Sequence, residues 1–286
     1  MNVLANILID GIAYSMVLFM VAVGLSMTLG LMRFINLAHG AFAMLGGFAM
    51  VFLPGWLGIR LELAVVLSVA LMALLALPIE RVLVRPFYHR DHLDQMLLTI
   101  GLMFFATAAA SYFFGPNVQL LRLPDYMTGS ADLGFRMLPR HRLWVIGAGI
   151  VVMLVLWLTI DKSRFGIKVR AAVDNPAIAQ SIGINTSLIY AATFSLGAAL
   201  AAVGGIFGAE LMPIEPTSAS RYLVILLAVV AIGGYGTIAG SFVAALILGL
   251  AETSAKYLLP GLAPFVMPVT MFVVLLMRPK GLFGKG

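Results

Sequence analysis

The chain has 286 residues, of which 62% are hydrophobic and 10% charged, with a mean hydropathy of +1.06. One soluble core of this size cannot bury that much apolar material, so a soluble globular domain is excluded. The net charge of +6 does not point to nucleic acid, because Lys and Arg sit in short breaks between apolar runs and form no single basic face.

A bilayer core of roughly 30 Å takes about 20 helical residues per crossing. Eight to nine crossings therefore use up nearly all of residues 1–286. The expectation is one all-α, polytopic helical bundle, with membrane lipid around it and no separate soluble domain. The absence of cysteine rules out a disulfide, a thiolate nucleophile and a thiolate metal ligand. The first 32 residues carry no Lys or Arg, so the first apolar run is expected to be a retained helix, not a cleaved signal.

In chain order, apolar runs fall at 5–30, 38–53, 62–84, 95–114, 143–160, 187–211, 222–233, 239–258 and 263–277. The stretch from Arg221 to about Ala255 is too long for one ordinary span. GGYGTIAG, Gly233 to Gly240, interrupts it with four glycines, so we divide it there. Broken helices are thus expected near 33–40 and 233–240.

The distribution of basic residues supports that division. With nine segments one side collects Arg33, Arg81, Arg85, Arg90, Lys162, Arg164, Lys168, Arg170, Arg278, Lys280 and Lys285, which is 11 of the 18. The other side holds Arg60, Arg122, Arg136, Arg140, Arg142, Arg221 and Lys256. The biased arrangement puts the N-terminus outside, the C-terminus in the cytoplasm, residues 161–186 inside and the long loop at about 115–142 outside.

Two strings, His39-Gly40-Ala41-Phe42-Ala43 and Ala239-Gly240-Ser241-Phe242-Val243, each restart an apolar run after a break. They are either an internal repeat of the kind transporters contain or a coincidence of small residues in membrane helices. Small residues also recur every four positions at Gly197, Ala201, Gly205 and Ala209, and at Gly236, Gly240 and Ala244. Such stripes serve static packing or a sliding surface, and spacing alone does not separate the two.

Enzymatic chemistry has little support. The phosphate-cradling G-x-x-x-x-G-K-[ST] string is absent, and Gly234-Tyr235-Gly236 with Gly240 has the wrong spacing for a dinucleotide fingerprint. His39, His89, His92 and His141 are scattered over three breaks and suggest no metal site. Asp10, Glu80, Glu210 and Glu252 lie within apolar runs. They read either as helix-end anchors and ion pairs or as proton-carrying groups, and Glu252 has Lys256 at i+4 to pair with.

The segment from Ser163 to Ser187 is the most informative polar stretch. Asn175-Pro176 is a helix start signal and Gly183 a stop. A short amphipathic helix there would either dock into a partner or lie at the lipid headgroups.

Four strings, taken in order, resemble the high-affinity branched-chain amino acid permease family, the membrane subunits of ATP-binding-cassette importers. They are GLSMTLGLMRFINLAHGAFAMLGGF, GIKVRAAVDNPAIAQSIGIN with a following AAVGGIFG, GGYGTIAGSFVAALILG and RPKGLFG. The resemblance implies a pore subunit in a bacterial inner membrane, without cofactor, driven by separate ATPase subunits. It also implies a solute-binding protein outside and a second, homologous permease subunit, giving a heterodimeric pore. Arg170 to Gly183 would form the coupling helix, with Asp174, Asn175 and Ala179 on or near the ATPase contact. The breaks at Asn36, His39 and Gly40, and at Gly234, Gly236 and Gly240, would lie close to the translocation path. Relatives of this kind serve branched-chain or other amino acids, or urea and short amides. The competing reading is a stand-alone carrier driven by protons through Glu252 or Glu210.

Overall fold

The computed structural model describes residues 2–32, 34–121, 123–132 and 137–284. Arg33, Arg122, Arg136 and Lys285, four of the basic residues used for topology, lie outside the described residues. Among the described residues the chain is a helical bundle with nine apolar helices, eight of them long and apolar enough to cross a membrane.

Helix α1 (Asn2–Met32) is 31 residues long, about 46 Å at the standard rise, and so exceeds a bilayer core. It is apolar on every face, and its middle is correspondingly enclosed: Val17, Phe19, Met20, Ala22 and Val23 are fully buried. Helix α2 (His39–Leu57) follows after a break. Helix α3 (Leu61–Ile79) contains Pro78 and ends in a π-helical turn, Glu80–Val84, where the proline removes one ladder bond. Helix α4 (His92–Phe114) completes the first half.

The connection to helix α5 (Arg140–Leu156) carries a two-stranded antiparallel hairpin, β1 (Ser130–Asp132) and β2 (Met137–Pro139), with Ala131 opposite Leu138. After α5 come two short helices, α6 (Arg164–Asp174) and α7 (Pro176–Ser181). Then follow α8 (Thr186–Gly208), α9 (Ser218–Gly233), α10 (Ile238–Leu258) and α11 (Ala263–Met277).

The division of the long apolar stretch is found where the glycines sit, since α9 stops at Gly233 and α10 starts at Ile238. At 16 residues α9 is the short member, about 24 Å long. It makes the number of segments odd, and the packing agrees. The start of α1 lies beside Arg142 and Tyr257, whereas its last turns lie beside Gly236, next to the C-terminal residues Phe283 and Gly284 that meet Gly234. The two chain ends therefore sit at opposite ends of the bundle, called here the hairpin end and the α6–α7 end.

The core is built around α1, with α8 and α10 against it along their lengths and α2, α5 and α9 completing the ring. Small residues allow this closeness. A methyl added at Gly24 would meet His39 Nε2 at 2.8 Å, and one at Gly204 would meet the Val21 backbone nitrogen at 2.6 Å. The α8 stripe is closely packed: Gly197 lies on α1, Ala201 is fully buried and Gly205 lies on the Ala43 carbonyl. The second stripe is corrected in one place. Gly236 lies outside any helix, in a left-handed turn with φ of 75°, so only Gly240 and Ala244 belong to the face of α10.

The carboxylates in apolar runs are all paired. Asp10 meets Arg142 and Tyr257, and Glu210 meets His141. Glu252 meets Lys256 at 2.8 Å, as the i+4 spacing suggests, and also accepts from Tyr14 at 3.1 Å. Glu80, whose side chain is fully buried, accepts from Arg85 at 3.0 Å and from Tyr88 at 2.9 Å.

Candidate functional site

The break between α1 and α2 is non-helical backbone inside the bundle, where each unpaired peptide group carries a penalty. Two side chains of α4 pair two of its N–H groups. Gln95 Oε1 accepts from Ile35 N–H at 3.2 Å, and Thr99 Oγ1 accepts from Leu37 N–H at 3.1 Å. The Thr99 hydroxyl also approaches the Ile35 carbonyl, and the Gln95 amide donates to the Phe87 and Arg90 carbonyls at 3.2 Å. Gln95 and Thr99 were not among the residues expected to matter. Their signal was available, since two polar residues four apart share one face of an otherwise apolar helix.

Asn36 and His39 flank the start of α2, each 1% exposed. His39 N–H bonds the Asn36 carbonyl at 3.3 Å. Asn36 Oδ1 has no hydrogen-bond partner among the described residues. The His39 ring fits between Gly24 and Gly197; its nitrogens make no geometrically sound hydrogen bond among the described residues, although the Val21 backbone approaches them. Gly40 lies on the start of α9, where an added methyl would meet Tyr222 Cβ at 3.2 Å. Tyr222 is 1% exposed and its hydroxyl is likewise unpartnered. This end of α2 thus holds two buried polar side chains, Asn36 and His39, with atoms that lack a sound hydrogen bond among the described residues.

Gly234, Gly236 and Gly240 sit elsewhere, in a tight junction at the α6–α7 end. Gly236 packs on Gly30 of α1, Gly240 on Gly233, and Gly234 on Phe283 and Gly284. Leu282 N–H donates to the Ile232 carbonyl at 2.7 Å and fixes the C-terminal residues there. The two breaks are joined through α1: His39 touches it at Gly24 and Gly236 touches it at Gly30, about 9 Å further along the axis.

The expected coupling helix is corrected in shape: two helices with a corner between them replace one. Proline at 176 lacks an N–H and drives Asn175 out of helical geometry, to φ −151° and ψ 94°. The Asn175 side chain then caps the second helix, Oδ1 accepting from Ile178 N–H at 3.1 Å. Gly183, at φ 84°, ends it.

The corner is bound to the bundle. The Arg170 guanidinium donates to the Ile160 carbonyl at 2.8 Å, and Tyr190 O–H donates to the Ala172 carbonyl at 2.8 Å. Ala179 is buried, and Ile184 N–H bonds its carbonyl at 2.9 Å. Asp174 and Asn175 are exposed. Beside them stand three exposed isoleucines, Ile167 at 60%, Ile178 at 60% and Ile182 at 69%. A rigid corner bearing apolar side chains and an acidic group is suited to contact with another protein.

A cavity of about 200 Å³ lies between α2 and α4. Asn36 is the one polar residue lining it, with Ala41, Phe42, Leu45, Leu102, Ala106 and Phe194 among the apolar ones.

The sequence model of the permease component of branched-chain amino acid transport systems matches residues 7–276. The chain belongs to that family. The high-affinity branched-chain amino acid transport system permease protein LivH of Escherichia coli K12 is 28% identical over 295 aligned positions, covering 96% of this chain and 94% of that protein. The permease protein BraD of Pseudomonas aeruginosa is 26% identical, covering 97% and 95%. The ribose import permease protein RbsC of E. coli is 30% identical over 141 positions, covering 47% of this chain and 42% of that protein. Among solved structures, a chain of PsaBC from Streptococcus pneumoniae in complex with Fab matches with a TM-score of 0.53 at 11% identity, covering 97% of this chain and 94% of that one. That likeness shows a shared fold.

Membership of this permease family fits the bundle of apolar helices. The chain is a membrane-spanning transport component and not an enzyme.

Proposed function

We propose that this permease forms one half of the pore of an ATP-binding-cassette importer in a bacterial inner membrane, moving branched-chain or other small hydrophobic amino acids. Separate ATPase subunits supply the energy, a solute-binding protein delivers the solute at the hairpin end, and a second, homologous permease completes the pore. In this reading the N-terminus is outside and the α6–α7 end faces the cytoplasm.

The observation that carries the proposal is the corner at Asp174 and Asn175. It is exposed, flanked by exposed isoleucines, and held by Arg170 to the Ile160 carbonyl in the turn after α5 and by Tyr190 to α8. A push delivered there by an ATPase would pass into the bundle as rigid-body motion. Arg170, Ala179 and Gly183 set the shape of the corner, and Asp174 and Asn175 make the contact.

Co-expression with the candidate ATPases and the second permease tests this reading. The intact chain should co-purify with both. Asp174→Arg should keep the permease pair and lose the ATPase, whereas retention of the ATPase by that variant would count against the assigned contact.

A further inference from the structure

The π-helical turn at the end of α3 carries two arginines four residues apart, and they open onto one pocket. Arg81 and Arg85 line it from α3, and Asn185, Ser187 and Leu188 line it from the start of α8; its volume is about 300 Å³. The two arginines are not equivalent. Arg85 is tied inward to the buried Glu80 carboxylate at 3.0 Å, and its guanidinium also approaches the Ser187 carbonyl. Arg81 is exposed and makes no ion pair or hydrogen bond among the described residues. No acidic residue lines the pocket, so with Glu80 balancing Arg85 the charge of Arg81 is left over.

The surface beside the pocket is apolar. Leu74 and Val82 of α3 are 63% and 69% exposed, and Leu188 of α8 is 56% exposed. Leu74 comes seven residues before Arg81, near the same helix face and about 10 Å closer to the middle of the span. A positive pocket at the end of a membrane helix, above an apolar wall that runs into the bilayer, matches the two parts of a phospholipid.

We propose that this pocket holds the headgroup of an anionic phospholipid of the phosphatidylglycerol type, in the leaflet on the α6–α7 side. The phosphate lies between the Arg81 and Arg85 guanidinium groups, which donate to its oxygens, and an acyl chain lies along Leu74 and Val82. The uncompensated charge favours a lipid with net negative charge over phosphatidylethanolamine, whose ammonium cancels its phosphate. A free phosphate ion would leave the apolar wall unused. Bound there, the lipid joins the end of α3 to the start of α8, where Thr186 Oγ1 accepts from the Gln180 amide of α7 at 2.8 Å, so the headgroup also braces the corner. The site requires only that α3 crosses the membrane, and it stands whichever solute and energy source the transporter uses.

The test titrates phosphatidylglycerol, phosphatidylethanolamine or inorganic phosphate into the full chain in a non-ionic detergent and follows the melting temperature. Phosphatidylglycerol alone should raise it by a few degrees. Arg81→Gln should melt normally without lipid and need about fivefold more phosphatidylglycerol for half the rise, the worth of one arginine at an anionic surface. Ser187→Asp sets a carboxylate beside the arginines and should abolish the rise. Lys280→Gln removes the same charge at the same end of the bundle, away from the pocket, and should titrate like the unsubstituted chain. The absence of any rise, an equal rise with phosphatidylethanolamine or inorganic phosphate, an equal loss in Lys280→Gln, or unchanged titrations in both pocket variants would each overturn the site. Arg81→Gln that titrates normally but no longer co-purifies with the ATPases would make the pocket a protein contact and overturn it too. None of these readouts depends on uptake, so failure of the importer reading would be seen separately.

Discussion

Gly30 of α1 and Gly236 of the α9–α10 turn meet backbone to backbone; a methyl on Gly236 would lie 2.8 Å from Gly30 Cα. This contact ties the central helix to the junction that also holds the C-terminal residues. Gly236→Ala adds a side chain there and also strains a residue at φ 75°. A loss of about 1–3 kcal/mol is expected. Thermal unfolding of the detergent-purified variant should show a lower transition; an unchanged one would mean that the junction yields easily.

Gln95 and Thr99 hold a non-helical segment inside the bundle. Gln95→Leu leaves the Ile35 N–H without its acceptor, and Thr99→Val does the same for Leu37. Each should cost about 1–3 kcal/mol, the usual penalty for a buried donor left unpaired. The pair should cost less than the sum, because both brace the same five residues. A double-mutant cycle in thermal stability measures this, and strict additivity would argue that the two side chains act on separate features.

Arg170 and Asp174 stand four residues apart on one helix and should behave differently. Arg170 is tied to the Ile160 carbonyl, so Arg170→Ala should lower the stability of the permease alone by about 1.5–3 kcal/mol, the range for a charge-assisted hydrogen bond. Asp174 is exposed, so Asp174→Arg should leave that stability within about 0.5 kcal/mol. Its effect should appear only when the ATPase is present. Equal destabilisation by both would contradict the division between shape and contact.

Glu80 is enclosed, with Arg85 and Tyr88 as its partners. Tyr88→Phe removes one hydrogen bond to a carboxylate and should cost about 1.5–3 kcal/mol. Glu252 at the hairpin end is tied to Tyr14 and Lys256. Glu252→Gln should keep ATP-driven uptake within a few-fold of the unsubstituted chain. Abolished uptake that also lost a response to an imposed proton gradient would revive the carrier reading.

The bundle was legible in the sequence because periodic apolar runs, glycine breaks and basic loops all follow from the bilayer acting as solvent. The division at Gly233 to Gly240 and the Glu252–Lys256 pair were readable for that reason. Other features were not. The start of the second helix at Asn175-Pro176 was readable as a start signal, but that α6 runs up to it and makes a corner within the expected coupling helix was not. Gln95 and Thr99 acquire their role only when α4 lies beside a break 60 residues away in the chain. The pairing of Asp10 with Arg142 and of Glu210 with His141 is likewise a product of packing that spacing does not reveal.

The central claim is that this permease passes solute through work done by a separate ATPase. Reconstitution in vesicles with ATPases, second permease and binding protein, followed by uptake of labelled leucine, tests it most directly. The account predicts uptake that requires ATP and the binding protein together and that stops when either is withheld. Uptake by the permease without ATPases, following an imposed proton gradient, would contradict it.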